Sequence, residues 1–168
     1  MDLLLFEPTE DVKKSAPLTD LDIRIEDFQP KIFKLYSPYE SIRTFRISLF
    51  RTYIYVLTRG KVKIYFAIDE NDKILHSAYI IPSNWKYAFL GKHGANIGPC
   101  NTVEEARGKG LYPYMVKHIV RDNPDLKCYL MIKDTNISSI KGAQKAGFAL
   151  TTRKVKQTKL LHRFVDEK

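Results

Sequence analysis

The sequence has few of the residues that cross-link or interrupt a chain. Its 168 residues include only 2 cysteines, 8 glycines and 8 prolines. No apolar run approaches the ~18 residues of a membrane-spanning helix. These shortages exclude disulfide-rich scaffolds, collagen-like chains, low-complexity chains and spanning helices. Hydrophobic residues make up 44% of the chain and charged residues 28%, which indicates a globular domain that can bury a core without metal or disulfide.

The two cysteines, Cys100 and Cys128, lie in apolar or strand-like contexts. We expect two unpaired buried thiols in a chain made for a reducing cytoplasm, with a catalytic thiol as the alternative. The first residues, 1–7, contain four consecutive apolar residues and no basic flank. We therefore expect no signal peptide there, a cytoplasmic location and no membrane partner.

Negative charge is also scarce. The 28 Lys and Arg residues outnumber the 19 Asp and Glu residues, which leaves a net charge of +9. Such an excess favours a polyanionic partner, whether a phosphorylated cofactor, a nucleic acid or an acidic surface. No group of His, Cys or carboxylate residues has the spacing of zinc ligands, so the sequence predicts no metal site.

The chain shows no internal repeat and no linker, so we predict a single domain over residues 1–168, of which residues 1–36 are hard to assign. Residues 21–28 alternate apolar and polar side chains, and residues 32–35 form a second candidate strand. The segment Ser37-Pro38-Tyr39-Glu40 has the form of a capping box and predicts the start of a helix. Apolar residues then recur at helical steps at Ile42, Phe45, Leu49, Tyr53 and either Val56 or Leu57, which indicates one apolar helix face.

The remaining sequence alternates strand and helix patterns. Residues 61–82 predict a hairpin with its turn at 69–72, and residues 95–103 a third strand in which Gly98-Pro99 predicts a bulge or an unpaired edge. The later elements are predicted at 111–121 (helix), 127–133 (strand), 137–146 (helix), 148–156 (strand) and 159–165 (strand). Asn136 is the predicted N-cap of the second of these helices, and Gly147 its C-terminal stop. This order predicts a mixed α/β sheet.

The most informative segment, residues 101–112, joins a strand end to a helix start through two glycines one residue apart. Gly108 and Gly110 allow close approach to the backbone, and consecutive N–H groups at a helix N-terminus bind anions. Arg107 and Lys109 add positive charge. The segment is neither a Walker A loop nor a dinucleotide fingerprint, because Pro113 stands where the third glycine belongs. A glycine-rich turn with solvated charges remains the alternative on these residues alone.

Two motifs in this order resemble those of the GNAT superfamily of N-acetyltransferases. Arg107-Gly108-Lys109-Gly110 resembles the pyrophosphate loop of that family. Downstream, Asn136-Ile137-Ser138-Ser139 and Lys145-Ala146-Gly147-Phe148 resemble its Asn-x-x-Ser/Ala and Lys-x-Gly-Phe motifs. The resemblance covers residues 61–148. It implies an α/β (α+β) single-domain fold, with a mixed, mostly antiparallel twisted sheet flanked by helices and with acetyl-CoA between strands 95–103 and 127–133.

The resemblance also implies a set of cofactor contacts and a reaction. Backbone groups near Val103 would meet the pantetheine, and the amides of residues 107–112 would hold the pyrophosphate. The implied acetyl-CoA contacts are Val103, Arg107, Gly108, Lys109, Gly110, Leu111, Tyr112, Asn136, Ser138 and Ser139. The implied reaction moves the acetyl group to a primary amine, which we expect to belong to a small cytoplasmic molecule such as an amino sugar nucleotide or amino acid derivative.

The catalytic residues are less well defined than the cofactor loop. Family members often carry a Tyr as general acid at the position that is Ala143 here. A thiol with a pKa near 8.5 can leave as a thiolate without that proton. His93, Glu104 and Glu105, at the two ends of strand 95–103, are the general-base candidates. A non-catalytic CoA-binding module is the alternative function, and a nucleic-acid-binding module a less favoured one; the chain could be a monomer or a homodimer.

Overall fold

The computed structural model describes residues 3–14, 22–40, 44–158 and 164–167. In these ranges the chain forms an eight-stranded sheet and four α-helices. The strands are β1 (Leu3–Pro8), β2 (Arg24–Phe28), β3 (Lys63–Ile68), β4 (Ile74–Pro82), β5 (Gly94–Thr102), β6 (Lys127–Lys133), β7 (Phe148–Gln157) and β8 (Phe164–Glu167). The helices are α1 (Glu10–Lys14), α2 (Phe45–Thr58), α3 (Leu111–Asp122) and α4 (Ile137–Lys145).

The strands follow the order β2-β3-β4-β5-β6-β1-β7-β8 across the sheet. Neighbouring strands run antiparallel except β5 and β6, which are parallel. The predicted mixed, mostly antiparallel sheet is therefore confirmed. No helix of the described ranges is long and apolar enough to cross a membrane.

The sheet buries a separate hydrophobic cluster on each face. One cluster joins Phe6 and Ile80 of the sheet to side chains of α1, α3 and α4, such as Met115. The other joins Leu5 and Tyr129 to α2 and to a 3₁₀ segment, Trp85–Leu90. Because successive strand residues point to opposite faces, β1 buries Leu5 in one cluster and Phe6 in the other.

Most elements after residue 60 match their sequence-based predictions. The hairpin, α3, β6, α4 and β7 lie within a few residues of the predicted bounds, Asn136 caps α4, and Gly147 has a φ of +85°. The register between β4 and β5 shifts by one residue around Gly98-Pro99, which confirms the predicted bulge. The two cysteines do not form a disulfide with each other; Cys128 is buried as expected, whereas Cys100 is only half-buried.

The predictions for the first 36 residues and for the last strand need correction. The segment 3–8 is a central strand, β1, between β6 and β7, whereas residues 32–35 are not a strand: an isolated bridge joins Lys31 to Lys34. β2 begins at Arg24, and Leu21 lies outside the described residues. β8 is described from Phe164 to Glu167, two residues beyond the predicted end at 165, and the predicted start at residues 159–163 lies outside the described part of the chain.

The predicted helix start at Ser37 was wrong. Ser37 and Glu40 do form the expected backbone contact, in which the Ser37 N–H donates to Glu40 Oε2 at 2.7 Å. The helix nevertheless begins at Phe45, where the Thr44 hydroxyl accepts from the Ile47 N–H at 3.3 Å. Both oxygens of Glu40 also accept from the Arg51 guanidinium, so this carboxylate holds a turn against α2 instead of opening a helix.

The helix period was right, but the apolar face that it marks is not the buried one. Phe45 is 76% exposed and Val56 is 66% exposed. The side of α2 that faces the sheet carries Arg51, Ile54 and Thr58. The hydrogen-bond acceptors of the Arg51 guanidinium all lie on that side, and a buried guanidinium must donate to acceptors. This requirement turns the apolar stripe towards the outside.

Candidate functional site

The sheet opens between β5 and β6. The two strands pair only at Gly94, Ala95 and Asn96 of β5, while β4 continues to pair with β5 as far as Thr102. From Ile97 onwards, β5 therefore has a strand neighbour on one side only, and the backbone groups of its other edge are available to a ligand. This gap lies between the two strands, predicted at 95–103 and 127–133, that the family resemblance implied would flank the cofactor.

The glycine loop lies at the end of this open edge. Gly108 has a φ of +77° and Gly110 a φ of +79°, and no atom lies within 4 Å of the position that a Cβ would take at either. Gly110 is the N-cap of α3 and provides no side-chain acceptor for the first amides of the helix. The loop and the helix start therefore present free N–H groups to an anion.

A second helix N-terminus reaches the same place. Asn136 caps α4 by accepting from the Ser139 N–H at 3.2 Å and from the Ser138 hydroxyl at 3.0 Å. Both helix starts border a cavity of about 600 Å³. Its walls are Cys100, Asn101, Thr102, Ala106, Arg107, Gly108, Gly110, Leu111, Tyr112, Pro113, Asn136, Ser138, Ser139, Lys141, Gly142 and Lys145.

The cavity brings together most of the residues implied as cofactor contacts. Its walls contain both glycines, Arg107, Leu111, Tyr112 and the three polar residues of the α4 start, but Val103 and Lys109 are not among its described wall residues. The Val103 N–H already donates to the Leu75 carbonyl at 3.0 Å. The Val103 N–H is therefore already engaged within the protein, whereas the open edge of β5 begins at Ile97.

The charge of the cavity is positive. Arg107, Lys141 and Lys145 line it, and the described wall residues include no Asp or Glu. Lys141 and Lys145 were not among the residues predicted from the sequence. They are four residues apart in the helix that Asn136 caps, and this spacing places both on one helix face. Two helix N-termini and three cations make this cavity suited to a diphosphate.

Close packing of α3 against α4 shapes the wall beside the loop. Gly142 touches Tyr112, and a Cβ at position 142 would lie 2.5 Å from Tyr112 Cδ1. Burial raises the pKa of the Tyr112 hydroxyl, so this hydroxyl stays protonated at neutral pH. Burial likewise raises the pKa of the Cys100 thiol to about 12, which argues against Cys100 as a nucleophile.

A buried histidine lies behind the cavity wall. His76 on β4 is 1% exposed, and its Nδ1 is 2.7 Å from the hydroxyl of Thr102, a wall residue. Its Nε2 has no hydrogen-bond partner among the described residues. Desolvation lowers the pKa of His76 to about 4, so the imidazole is neutral at pH 7.

This neutral histidine should make folding pH-dependent. Its folded-state pKa lies below the unfolded value of 6.5, so the unfolded chain binds the extra proton and stability falls as the pH drops from about 6.5 towards 4. We expect the wild type to lose about 2 kcal/mol more than His76→Gln between pH 7 and pH 5 in urea unfolding. Equal losses would show that His76 is protonated in the folded state as readily as in the unfolded one.

The three general-base candidates lie outside the cavity walls. Glu105 pairs with the Lys73 ammonium, which lowers the pKa of the carboxyl. Glu104 is exposed at the start of a 3₁₀ turn, and His93 is exposed just before β5, where its carbonyl accepts from the Lys127 N–H at 2.8 Å. The structure thus places Glu104 and Glu105 beside the loop and His93 at the opposite end of β5.

Asn96 is a polar residue that the sequence analysis did not select. It is 5% exposed, and its Oδ1 has no hydrogen-bond partner within the described residues. Asn96 is the last β5 residue to pair with β6, and it lies opposite Tyr129. Its neighbours Ala95 and Ile97 belong to the cluster on the α3 side of the sheet. Because strand residues alternate between faces, the Asn96 side chain lies on the side that carries α2. The only sequence signal was an amide within an apolar strand.

No protein-family model and no curated protein matches the chain. Solved structures do. A GNAT-family acetyltransferase from Colwellia psychrerythraea matches at a TM-score of 0.55 and 17% identity, over 98% of this chain and 55% of that one. The chain thus spans little more than half of that protein.

Two further structures match over more of their own length. A GNAT-superfamily phosphinothricin acetyltransferase from Sinorhizobium meliloti, in complex with AcCoA, matches at a TM-score of 0.53 and 18% identity, over 99% of this chain and 85% of that one. AAC(6')-Ib in complex with parmomycin and acetyl-CoA matches at a TM-score of 0.54 and 16% identity, over 80% of this chain and 87% of that one. With its open strand pair and its glycine loop, this chain has the fold of the GNAT acetyltransferases.

Proposed function

We propose that this protein is an N-acetyltransferase that moves the acetyl group of acetyl-CoA directly to a primary amine. The acceptor we propose is a small cytoplasmic molecule such as an amino sugar nucleotide or an amino acid derivative. The single observation that carries the proposal is the cationic cavity at the open edge of β5, where the N-termini of α3 and α4 meet. The solved structures of similar fold include a spermidine N-acetyltransferase chimera, and spermidine is an amine.

The residues present fit acetyl-CoA. The amides of residues 108–112 would bind the diphosphate, and Arg107, Lys141 and Lys145 would neutralise its charge. The backbone groups at the open edge of β5 would form hydrogen bonds with the pantetheine amides, of the kind that join neighbouring strands. When bound, acetyl-CoA supplies the acetyl group as a thioester.

For direct acetyl transfer, the main task of the protein is to orient the amine and the thioester. A backbone N–H at the open edge of β5 would polarise the acetyl carbonyl, and placing the amine next to it removes most of the entropic barrier. The amine must lose a proton, and we propose His93, Glu104 or Glu105 as the group that accepts it, directly or through water. The salt bridge with Lys73 lowers the pKa of the Glu105 carboxyl and so makes this residue a weaker base.

Calorimetric titration with acetyl-CoA tests the binding half of the proposal. Release of free CoA in the presence of a panel of primary amines, from amino sugar nucleotides to polyamines, tests the catalytic half. Binding together with amine-dependent release supports the enzyme. Failure to bind acetyl-CoA contradicts the proposal at its first step.

A non-catalytic CoA-binding module is the second candidate. It is favoured by Ala143, which is fully buried in the core at the position where related enzymes often carry a Tyr. It predicts tight acetyl-CoA binding with no CoA release for any amine of the panel.

We expect Asn96 to bind the amine substrate rather than acetyl-CoA. Its Oδ1 has no partner among the described residues, and its side chain lies on the face of the sheet opposite α3. We expect Asn96→Ala to lower kcat/KM for the best amine of the panel about tenfold, through the loss of one hydrogen bond to a charged or polar group. The dissociation constant of acetyl-CoA should stay unchanged in calorimetry. Asn71→Ala, in the exposed turn before β4, is the control; equal effects on acetyl-CoA and amine would contradict this role.

A further inference from the structure

The outward face of α2 is an apolar stripe that no element within the described ranges covers. Phe45, Leu49, Tyr53 and Val56 recur at steps of three and four residues along the helix and are between 45% and 76% exposed. A helix of 14 residues is about 21 Å long, so the stripe runs along most of one side of it. Large contiguous apolar patches of this kind mark interaction sites.

A second apolar feature lies beside the helix. The bridge between Lys31 and Lys34 closes a tight turn that carries Ile32 and Phe33 at its tip. Ile32 is 58% exposed and Phe33 101% exposed, so the Phe33 ring has almost no contact with the rest of the chain. An aromatic tip between two lysines is both strongly apolar and positively charged.

Specific contacts hold the turn and the helix in one arrangement. The Gln29 amide donates to the carbonyl of Gly60, just after α2, and the Arg51 guanidinium donates to the carbonyl of Leu35 at 2.7 Å. A groove lined by residues 29–34 on one side and by Tyr55, Arg59 and Gly60 on the other joins the two. The tip and the stripe are therefore presented together, without a further ordering step.

The charge around these residues has a single sign. Segments 29–36 and 44–61 contain no Asp or Glu. Five of their cations are exposed: Lys31, Lys34, Arg46, Arg59 and Lys61. None of these five forms an ion pair with a carboxylate in the part of the chain that the structure describes. We call these five cations, with Ile32, Phe33 and the four stripe residues, the α2 face.

We propose that the α2 face docks on an anionic lipid surface. Such a surface offers negative headgroups to the five cations and an apolar layer just below them to Phe33 and the stripe, which matches both properties at once. Lysine side chains can extend their ammonium groups to the headgroups while an apolar tip between them inserts. A second copy of this chain would instead bring two wholly cationic faces together, which disfavours self-association here.

Surface docking requires no spanning helix, so the proposal replaces the sequence-based expectation of no membrane partner. An acidic protein would be complementary in charge to the α2 face. Charged protein surfaces, however, offer little apolar area to a fully exposed Phe at a protruding tip. The lipid surface therefore explains more of the observed features. The proposal does not depend on the acetyltransferase activity.

Sedimentation of the full chain with phospholipid vesicles tests this docking. We expect binding to vesicles that mix phosphatidylglycerol with phosphatidylcholine, weak or no binding to phosphatidylcholine alone, and release at high salt. Phe33→Ser should weaken binding about tenfold, since the tip loses its inserted ring. Lys34→Glu should weaken it by a similar factor or more.

Matched controls separate docking from general adsorption of a cationic protein. Leu150 is 55% exposed on β7, so Leu150→Ser removes an exposed apolar side chain outside the α2 face. Arg121→Glu reverses an exposed charge in the last turn of α3. Both controls should bind vesicles as the wild type does, and all variants should keep the far-UV circular dichroism and the melting temperature of the wild type.

Three results would overturn the proposal. The first is no binding to phosphatidylglycerol vesicles. The second is unchanged binding of Phe33→Ser. The third is an equal loss for Lys34→Glu and Arg121→Glu, which would mean that net charge alone attracts the chain.

Discussion

Replacing Gly108 and Gly110 together by Asp should weaken acetyl-CoA binding by at least about a hundredfold, or roughly 3 kcal/mol. Two carboxylates would lie in the space that now admits a diphosphate, because nothing lies within 4 Å of either Cβ position. They would repel the phosphate charges and mask the amides of the α3 start. Calorimetric titration at physiological salt measures the change.

Two control variants isolate the charge effect from backbone strain. Gly91 has a φ of +81° and also has open space around its Cβ position, but it lies before β5 and does not line the cavity. Gly91→Asp should therefore bind acetyl-CoA as the wild type does. The double variant Gly108→Ala, Gly110→Ala adds the strain without the charge and should lose far less affinity. If the Asp and Ala variants weaken binding equally, the loop acts through its conformation alone.

Arg51→Met should lower the free energy of unfolding by about 3 kcal/mol, which is the second large effect that we expect. The Arg51 side chain is 3% exposed and donates to Glu40 Oε2 at 2.8 Å and to the Tyr79 hydroxyl at 3.0 Å. Removing it leaves the Glu40 carboxylate, which is 11% exposed, without its cation. Urea unfolding at fixed pH measures the loss.

A double-mutant cycle shows whether the pair itself carries this stability. Arg51→Met combined with Glu40→Gln should lose less than the sum of the two single losses, because the second change removes the stranded charge. Arg46→Met, on the exposed side of the same helix, should stay within about 0.5 kcal/mol of the wild type. A loss below about 1 kcal/mol for Arg51→Met would mean that solvent screens the pair as it does on a surface.

Several features of the site could be predicted because their signals are local. The loop at residues 107–110, the Asn136 cap and the Gly147 stop each depend on a few consecutive residues whose backbone conformation is set by residue type. The order of strands and helices around them then brings the two helix starts to one end of β5. Lys141 and Lys145 were missed because their contribution depends on which face of α4 borders the cavity.

The α2 helix shows how a correct period can suggest the wrong orientation. The apolar spacing from Phe45 to Val56 identified a helix, and the usual inference is that such a stripe is buried. The structure buries the Arg51 side instead, because the acceptors of Arg51 come from Leu35, Glu40 and Tyr79, which lie up to 28 residues away in the chain. No local pattern reports such a set of partners.

The local pattern of amino acids was sufficient for the strands and α-helices from residue 61 to the start of β7 and for the place of the glycine loop at the start of α3. Only the tertiary structure placed β1 between β6 and β7, where Leu3 pairs with both Lys133 and Val155. It also decided that Asn96 is buried without a partner and that the α2 face is exposed. The physical reason is common to all three: strand neighbours, buried polar contacts and helix orientation depend on residues distant in sequence, whereas turns and caps are determined by their immediate neighbours.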